Sequence, residues 1–178
     1  MPRGVLYVIV CASPRAKHVG ELVRLACAAD WTVCVIPTPQ AMKFIDSDAL
    51  ESATGYPVRH QYKHPDEPDV LPSADAMIVC PATSNTINKW ALGISDTLAL
   101  GLITEAIGIG IPLVAAPALT DAQARHPAFA RSVAELRGLG VSVLYGEGVY
   151  EPLPPNVDAP PYDWNLPLRT LESMMSVQ

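Results

Sequence analysis

Four small polar residues, Thr83, Ser84, Asn85 and Thr86, follow an apolar run that closes on Pro81. They precede a stretch that turns helical and stays apolar almost to Pro117. Free backbone N–H groups at a helix start, joined by hydroxyls and an amide, suit a ligand rich in hydrogen-bond acceptors. An ordinary cap, Thr or Ser ahead of Ile87, accounts for the same residues. Two other turns carry similar groups: Ser13 within residues 12–17, and Thr38 within Pro37-Thr38-Pro39-Gln40. A strand-to-helix turn of this kind can cradle a phosphate. Neither GxGxxG nor GxxxxGK[ST] is present, so a plain connection remains the alternative. A second group, His60, His64, Asp66, Glu67 and Asp69, falls in the polar, proline-broken stretch 60–72. Its spacing matches no standard zinc pattern, and no metal is expected. A solvated loop explains these residues, although loops of this length are often functional. The four cysteines, Cys11, Cys27, Cys34 and Cys80, form no CxxC pair and read as reduced, buried thiols.

These residues need a scaffold. Residues 5–11 (VLYVIVC), 31–36 (WTVCVI), 76–80 (AMIVC), 113–116 (LVAA) and 142–145 read as strands, with a brief one at 57–59. Nearly continuous apolar runs with β-branched residues mark strands covered on both faces, as in a parallel sheet. Helices are predicted from about Lys17 to Ala29, over a short piece reaching Phe44, over 47–54, after Thr86, and from Pro127 to about Gly138. Strands and helices alternate, so the fold class is α/β with a parallel sheet. Ser13, Thr38 and residues 83–86 then belong at its carboxyl-terminal rim, where ligands bind in such sheets. From Gly146 onward, Pro152, Pro154, Pro155, Pro160, Pro161 and Pro167 forbid a regular ladder. This tail reads as an extended arm wrapping the domain or a neighbour, with a short helix at 168–175.

Composition narrows the functional classes. A chain of 178 residues supports one compact domain, and 49% apolar content supplies its core. Charged residues are only 17%, which fits apolar surface covered by other subunits. The net charge of −6, without a Lys/Arg cluster, disfavours nucleic acid and anionic membranes. Asp96, Glu105, Gly108, Gly110 and Pro112 interrupt the apolar stretch 91–118, so a buried or interface helix is expected there rather than a membrane span. No signal-peptide pattern opens the chain, and a cytoplasmic location is expected.

Three turns, taken together, resemble one family: the homo-oligomeric flavin-containing cysteine decarboxylases. The family's PASANT motif and its helix appear as Pro81-Ala82-Thr83-Ser84-Asn85-Thr86, followed by Lys89, Ala91, Gly93, Ile94, Asp96 and Leu98. Its first turn, GS(I/V)A, is Ala12-Ser13-Pro14-Arg15, and its second, (M/V)TxxAxxF(V/I), runs from Pro37 through Thr38 and Phe44 to Ile45. The resemblance implies a Rossmann-like three-layer flavoprotein domain over 1–145, with 146–178 as the proline-rich arm. It implies FMN, with FAD as the alternative, held between subunits of a homotrimer or of trimers assembled into a dodecamer. Ala12, Ser13, Thr38, Phe44, Thr83, Ser84, Asn85 and Thr86 would contact the cofactor, with Ser13 and Thr38 on its phosphate. The substrate would be a small molecule or a peptidyl cysteine.

The catalytic positions depart from the family. Its histidine, fourteen residues before the PASANT proline, is here Glu67, with His64 three residues away. Its PxMNxxMW segment, whose Asn binds the substrate carboxylate, is here Pro117-Ala118-Leu119-Thr120-Asp121-Ala122-Gln123-Ala124. Thr120 stands for that Asn, and Arg125 or His126 could offset the charge of Asp121. No cysteine follows Cys80, so a late reducing cysteine is missing and an oxidative decarboxylation would stop at an enethiol. The candidate catalytic residues are Glu67, His64 and Thr120. The expected activity is flavin-dependent oxidation or decarboxylation outside the standard coenzyme-A pathway. The alternatives are a non-catalytic flavin-binding subunit and a flavin prenyltransferase, whose glycine-rich first turn is not matched here.

Overall fold

A computed structural model describes residues 3–152, 154 and 161–176. Five strands, β1 (Gly4–Val10), β2 (Trp31–Pro37), β3 (Ala76–Ala82), β4 (Leu113–Pro117) and β5 (Ser142–Val143), form one all-parallel sheet in the order β2-β1-β3-β4-β5. Among the described residues, seven α-helices accompany them: α1 (Gly20–Ala28), α2 (Ser47–Thr54), α3 (Ser84–Ala91), α4 (Leu98–Ile109), α5 (Asp121–Ala124), α6 (Pro127–Gly138) and α7 (Leu166–Met175). The predicted α/β class with a parallel sheet is the observed one. Two cores result, one on each face. Tyr7, Ile9, Ile36, Val79 and Ala115 point toward α3, α4 and α6, where they meet Trp90, Ile103 and Phe129. Leu6, Val8, Val35, Ile78 and Val114 point the other way and meet Leu22, Leu50 and Leu171 of α1, α2 and α7. The period-two alternation of a strand buried on both faces makes this division.

Several boundaries differ from the sequence reading, each for a local reason. The helix expected from Lys17 is a 3-10 turn, Pro14–His18, followed by α1. Pro14 sits where no helical N–H is needed, and the Ser13 hydroxyl accepts from the Arg15 N–H at 3.3 Å. Strand β3 runs through Pro81 to Ala82, because Pro81 is needed there only as an acceptor: its carbonyl takes the Cys11 N–H at 3.1 Å. The long apolar stretch after Thr86 is two helices. Gly93, at φ +71°, turns the chain between them, and the Thr97 hydroxyl caps α4 by accepting from the Leu100 N–H at 3.2 Å. Residues 57–59 form no strand; the Arg59 N–H only touches the Val35 carbonyl at 3.4 Å. Strand β5 stops at Val143: the Leu144 N–H still donates to the Ala115 carbonyl at 2.8 Å, but Pro117 of β4 has no N–H to continue the ladder, and the Arg137 guanidinium donates to the Val143 and Tyr145 carbonyls at 2.8 and 2.7 Å. The terminal helix starts at Leu166, two residues earlier than predicted. Of the proline run, Pro155 and Pro160 lie outside the described residues.

Candidate functional site

Strands β2, β1 and β3 are adjacent and end together, so their turns share one rim. The Thr38 N–H donates to the Val10 carbonyl at 2.8 Å, tying the second turn to the first strand. The Ala118 N–H donates to the Ala82 carbonyl at 2.8 Å, which brings the turn after β4 beside the start of α3. Ser13, Thr38 and the Thr83–Thr86 cluster are therefore neighbours, as the sequence predicted.

Thr83 caps α3: its hydroxyl accepts from the Thr86 N–H at 3.4 Å. The first-turn N–H groups of Ser84 and Asn85 have no intrahelical acceptor and take no other among the described residues. The Thr38 hydroxyl, the Ser84 hydroxyl and the Asn85 amide likewise have no protein partner among the described residues. Donors left open on one rim fit a phosphorylated ligand with a polar edge. Ser13 is buried, Ala12 half-buried, and Phe44 is 38% exposed beside the second turn.

Behind the rim, the Cys11 thiol donates to the Thr86 hydroxyl oxygen at 3.3 Å, and the Thr83 hydroxyl donates to the same oxygen at 3.3 Å. With its oxygen accepting twice, the Thr86 hydroxyl keeps its own proton to donate. Burial pushes the Cys11 thiol above its ordinary range, which outweighs the hydrogen bonds from Thr86 and Thr83, so it stays a donor. Burial also pushes the Cys80 thiol up to about 12. The buried, unpaired reading of Cys11, Cys34 and Cys80 holds, whereas Cys27 is half-exposed.

His64 and Glu67 lie in the 60–72 loop. Both are exposed, and the Glu67 carboxylate accepts from the His64 N–H at 3.1 Å, closing its own turn. Lys63 braces that turn by donating to the Glu67 carbonyl at 2.6 Å and pairing with Asp69 at 3.0 Å. The loop borders a cavity of about 500 Å³ formed with Tyr7, Met77 and α4, and neither Ser13, Thr38 nor any of residues 83–86 lines it. Neither His64 nor Glu67 lines it, and among the described residues neither shares a hydrogen bond or ion pair with Ser13, Thr38 or residues 83–86. Among the described residues, no three His, Cys, Asp or Glu side chains converge to hold a metal.

Thr120 does reach the rim, but in a capping role. Its hydroxyl accepts from the Gln123 N–H at 3.2 Å, and the Gln123 side chain takes the Thr120 N–H at 3.1 Å, a reciprocal pair that makes α5, a helix absent from those predicted. Asp121 ion-pairs with Arg125, and His126 caps α6 by accepting from the Ala128 N–H at 3.1 Å. Thr120 lines a pocket with Arg15 and Tyr162; Arg125, His126, Ser13, Thr38 and residues 83–86 do not.

The sequence reading gave no role to Arg15 or to the aromatics of the arm. Arg15 lies over the Tyr162 ring at 4.7 Å, Tyr162 stacks on Tyr150 at 4.4 Å, and Trp164 meets Tyr162 edge-on at 4.7 Å. The signal was three aromatic residues in an otherwise proline-rich tail, a composition that a solvated linker does not need.

The Flavoprotein family model matches residues 3–159. A coenzyme A biosynthesis bifunctional protein, CoaBC, of Thermococcus kodakarensis is 34% identical over 144 residues, covering 76% of this chain and 36% of that protein. The chain thus spans about a third of the length of the curated relatives it matches. Among solved structures, the FMN-dependent cysteine decarboxylase SpaF superposes with a TM-score of 0.76 at 22% identity, covering 98% of both chains. The FMN-binding protein AtHal3 gives a TM-score of 0.76 at 19% identity, covering 99% of this chain and 98% of that one. At these identities the two structures establish the shared fold.

Proposed function

We infer function from one premise: this chain belongs to the Flavoprotein family. On it we propose an FMN-binding protein that performs flavin-dependent oxidation or decarboxylation of a cysteinyl or other small substrate. The observation that carries the reading is the row of open donors on one rim: the Thr38 and Ser84 hydroxyls, the Asn85 amide, and the Ser84 and Asn85 N–H groups. Ser13 and Thr38 would hold the phosphate, and residues 83–86 the ribityl chain and ring edge. FMN, when bound, would accept the two electrons of a thiol oxidation. The chain's own residues would bind, orient and exclude water, with the Thr86 hydroxyl, whose oxygen already accepts from Cys11 and Thr83, keeping its proton to donate.

That His64 and Glu67 share no hydrogen bond or ion pair with the rim residues, among the described residues, supports a site completed between copies, as in a homotrimer or a dodecamer of trimers. The surface of α4 supports the same reading. Its sequence, LALGLITEAIGI, is apolar around most of its circumference, yet Ile109 is 64% exposed, and Leu92, just ahead of it, 75%. A Glu67 carboxylate from one copy would then serve as base for another, with a substrate outside the coenzyme-A pathway. Reduced thiols and the lack of any helix long and apolar enough to cross a membrane, among the described residues, fit a cytoplasmic setting.

One observation favours a second reading, a flavin-binding subunit without chemistry: Thr120 and Asp121 are consumed by a cap and an ion pair. The test is the absorption spectrum of purified protein, mass measurement of the released cofactor, and anaerobic addition of thiol substrates. Bleaching of the bound flavin supports the enzyme. A stable yellow protein that no thiol bleaches supports the subunit, and a colourless protein ends both readings.

A further inference from the structure

Arg15 closes the first turn of the rim, two residues after Ser13. A pocket of about 400 Å³ opens beside it, walled by the chain after β4, including Thr120, and by Tyr150 and Tyr162 of the arm. That volume admits a small organic acid or a phosphate head. Arg15 is half-buried and has no carboxylate within ion-pair distance among the described residues. The acids nearby are mostly engaged. Asp163 pairs with Arg169 at 3.0 Å and accepts from the Asn165 and Leu166 N–H groups, while Asp121 pairs with Arg125. Glu151 also lines the pocket and has no ion-pair partner among the described residues, so its charge opposes a bound anion, and among the described lining residues Arg15 is the one cation that offsets it.

Tyr162 holds the guanidinium in place. The ring lies 4.7 Å from the Arg15 cation, and its far face stacks on Tyr150 with 9° between the planes. The Tyr162 hydroxyl meets the Ala116 carbonyl at 3.4 Å and the Cys80 sulfur at 3.5 Å, which anchors the ring to the ends of β4 and β3. Burial pushes the Tyr162 hydroxyl far above its ordinary range, so it remains a neutral donor. A guanidinium fixed on an aromatic face, with its donor edge open, is organised to receive two oxygens of one oxyanion.

We propose that Arg15 is the oxyanion-binding residue of this pocket and that Tyr162 positions it. The proposal rests on the flavin reading for one of its two sources of oxyanion, the cofactor phosphate. The other source is a carboxylate of the substrate.

Calorimetric titration separates the sources. The full chain, freed of flavin, is titrated with FMN and with riboflavin, and separately with 3-mercaptopropionate and with ethanethiol, for the wild type, Arg15→Gln and Arg15→Lys. If Arg15→Gln weakens FMN by about tenfold or more while riboflavin binding is unchanged, Arg15 takes the phosphate. If FMN is unaffected and 3-mercaptopropionate weakens by a similar factor while ethanethiol does not, it takes a carboxylate. Arg15→Lys should recover part of either loss, through charge without the planar fork. Equal losses for FMN and riboflavin, or no loss for any anion, overturn the proposal. So does a wild type that binds neither anion more tightly than its uncharged counterpart. A wild type that takes no flavin ends the flavin reading on its own, and the carboxylate titration still judges Arg15.

Discussion

Asn85 and Ser13 stand in neighbouring turns of the rim and offer different tests of it. Asn85 is exposed and its amide has no protein partner among the described residues, so Asn85→Ala should leave the fold intact. Its expected effect is a loss of flavin occupancy, roughly five- to tenfold in affinity for one or two hydrogen bonds. Ser13→Ala should lower occupancy too, with some stability lost from the cap on Arg15. Absorbance at the flavin band, against circular dichroism of the same samples, checks both. Full occupancy in both variants would remove these residues from the site. The thiols allow a separate measurement. Burial pushes all four thiols upward, but Cys11, Cys34 and Cys80 are buried whereas Cys27 is half-exposed. A thiol reagent near neutral pH should label about one cysteine in the native protein and the rest only after unfolding.

At the scale of elements, the helix start at Thr83 and the break at Gly93 set the site's shape. The break ends α3 after two turns, so that Trp90 can bury its ring and donate its indole N–H to the Ile103 carbonyl of α4 at 3.0 Å. Gly93 has φ +71°, and a Cβ there would meet no neighbouring atom, so Gly93→Ala should cost only the backbone strain, about 1 kcal/mol. Urea midpoints of the two proteins measure it, and an unchanged midpoint would mean that the turn relaxes freely. At Gly101 the constraint is space. A Cβ would collide with the Tyr62 hydroxyl, so α4 and the 60–72 loop approach closely there.

For the whole molecule, two properties follow from what is buried and what is not. Leu92 and Ile109 expose apolar side chains that solvent does not favour. Leu92→Glu and Ile109→Glu should reduce the oligomer seen by light scattering, and flavin occupancy should fall with it if copies share the cofactor. A wild type that runs as a monomer would remove the shared site. Alkaline pH tests the core. Burial holds the Cys34 thiol at about 11, the Cys80 thiol at about 12 and the Tyr7 hydroxyl at about 12, against ordinary values of 9.0 for the thiols and 10.0 for the phenol. The folded chain keeps protons that the unfolded chain releases in that window. The stability these groups contribute is therefore full below about pH 9 and is lost as pH rises toward 12. Urea midpoints should be flat from neutrality to about pH 8.5 and fall above it, with a shallower fall in Cys80→Ala.

Much of this was legible in the chain, because the signals are local. Runs such as VLYVIVC and WTVCVI declare buried parallel strands, since only a strand covered on both faces tolerates unbroken apolar residues. Ser13, Thr38 and residues 83–86 follow such runs directly, so sheet topology alone gathers them. Other features depended on groups distant in sequence. Strand β5 is short because Pro117 of β4 offers it no N–H, and Thr120 became a cap through Gln123. Arg15 acquired its setting from Tyr162, far along the arm, and Tyr62 of the 60–72 loop was set against Gly101 of α4. Periodicity and turn chemistry act over a few residues and can be read in order. Which guanidinium meets which ring, and which loop lies over which helix, is decided only when the packed sheet brings remote segments within a few ångströms.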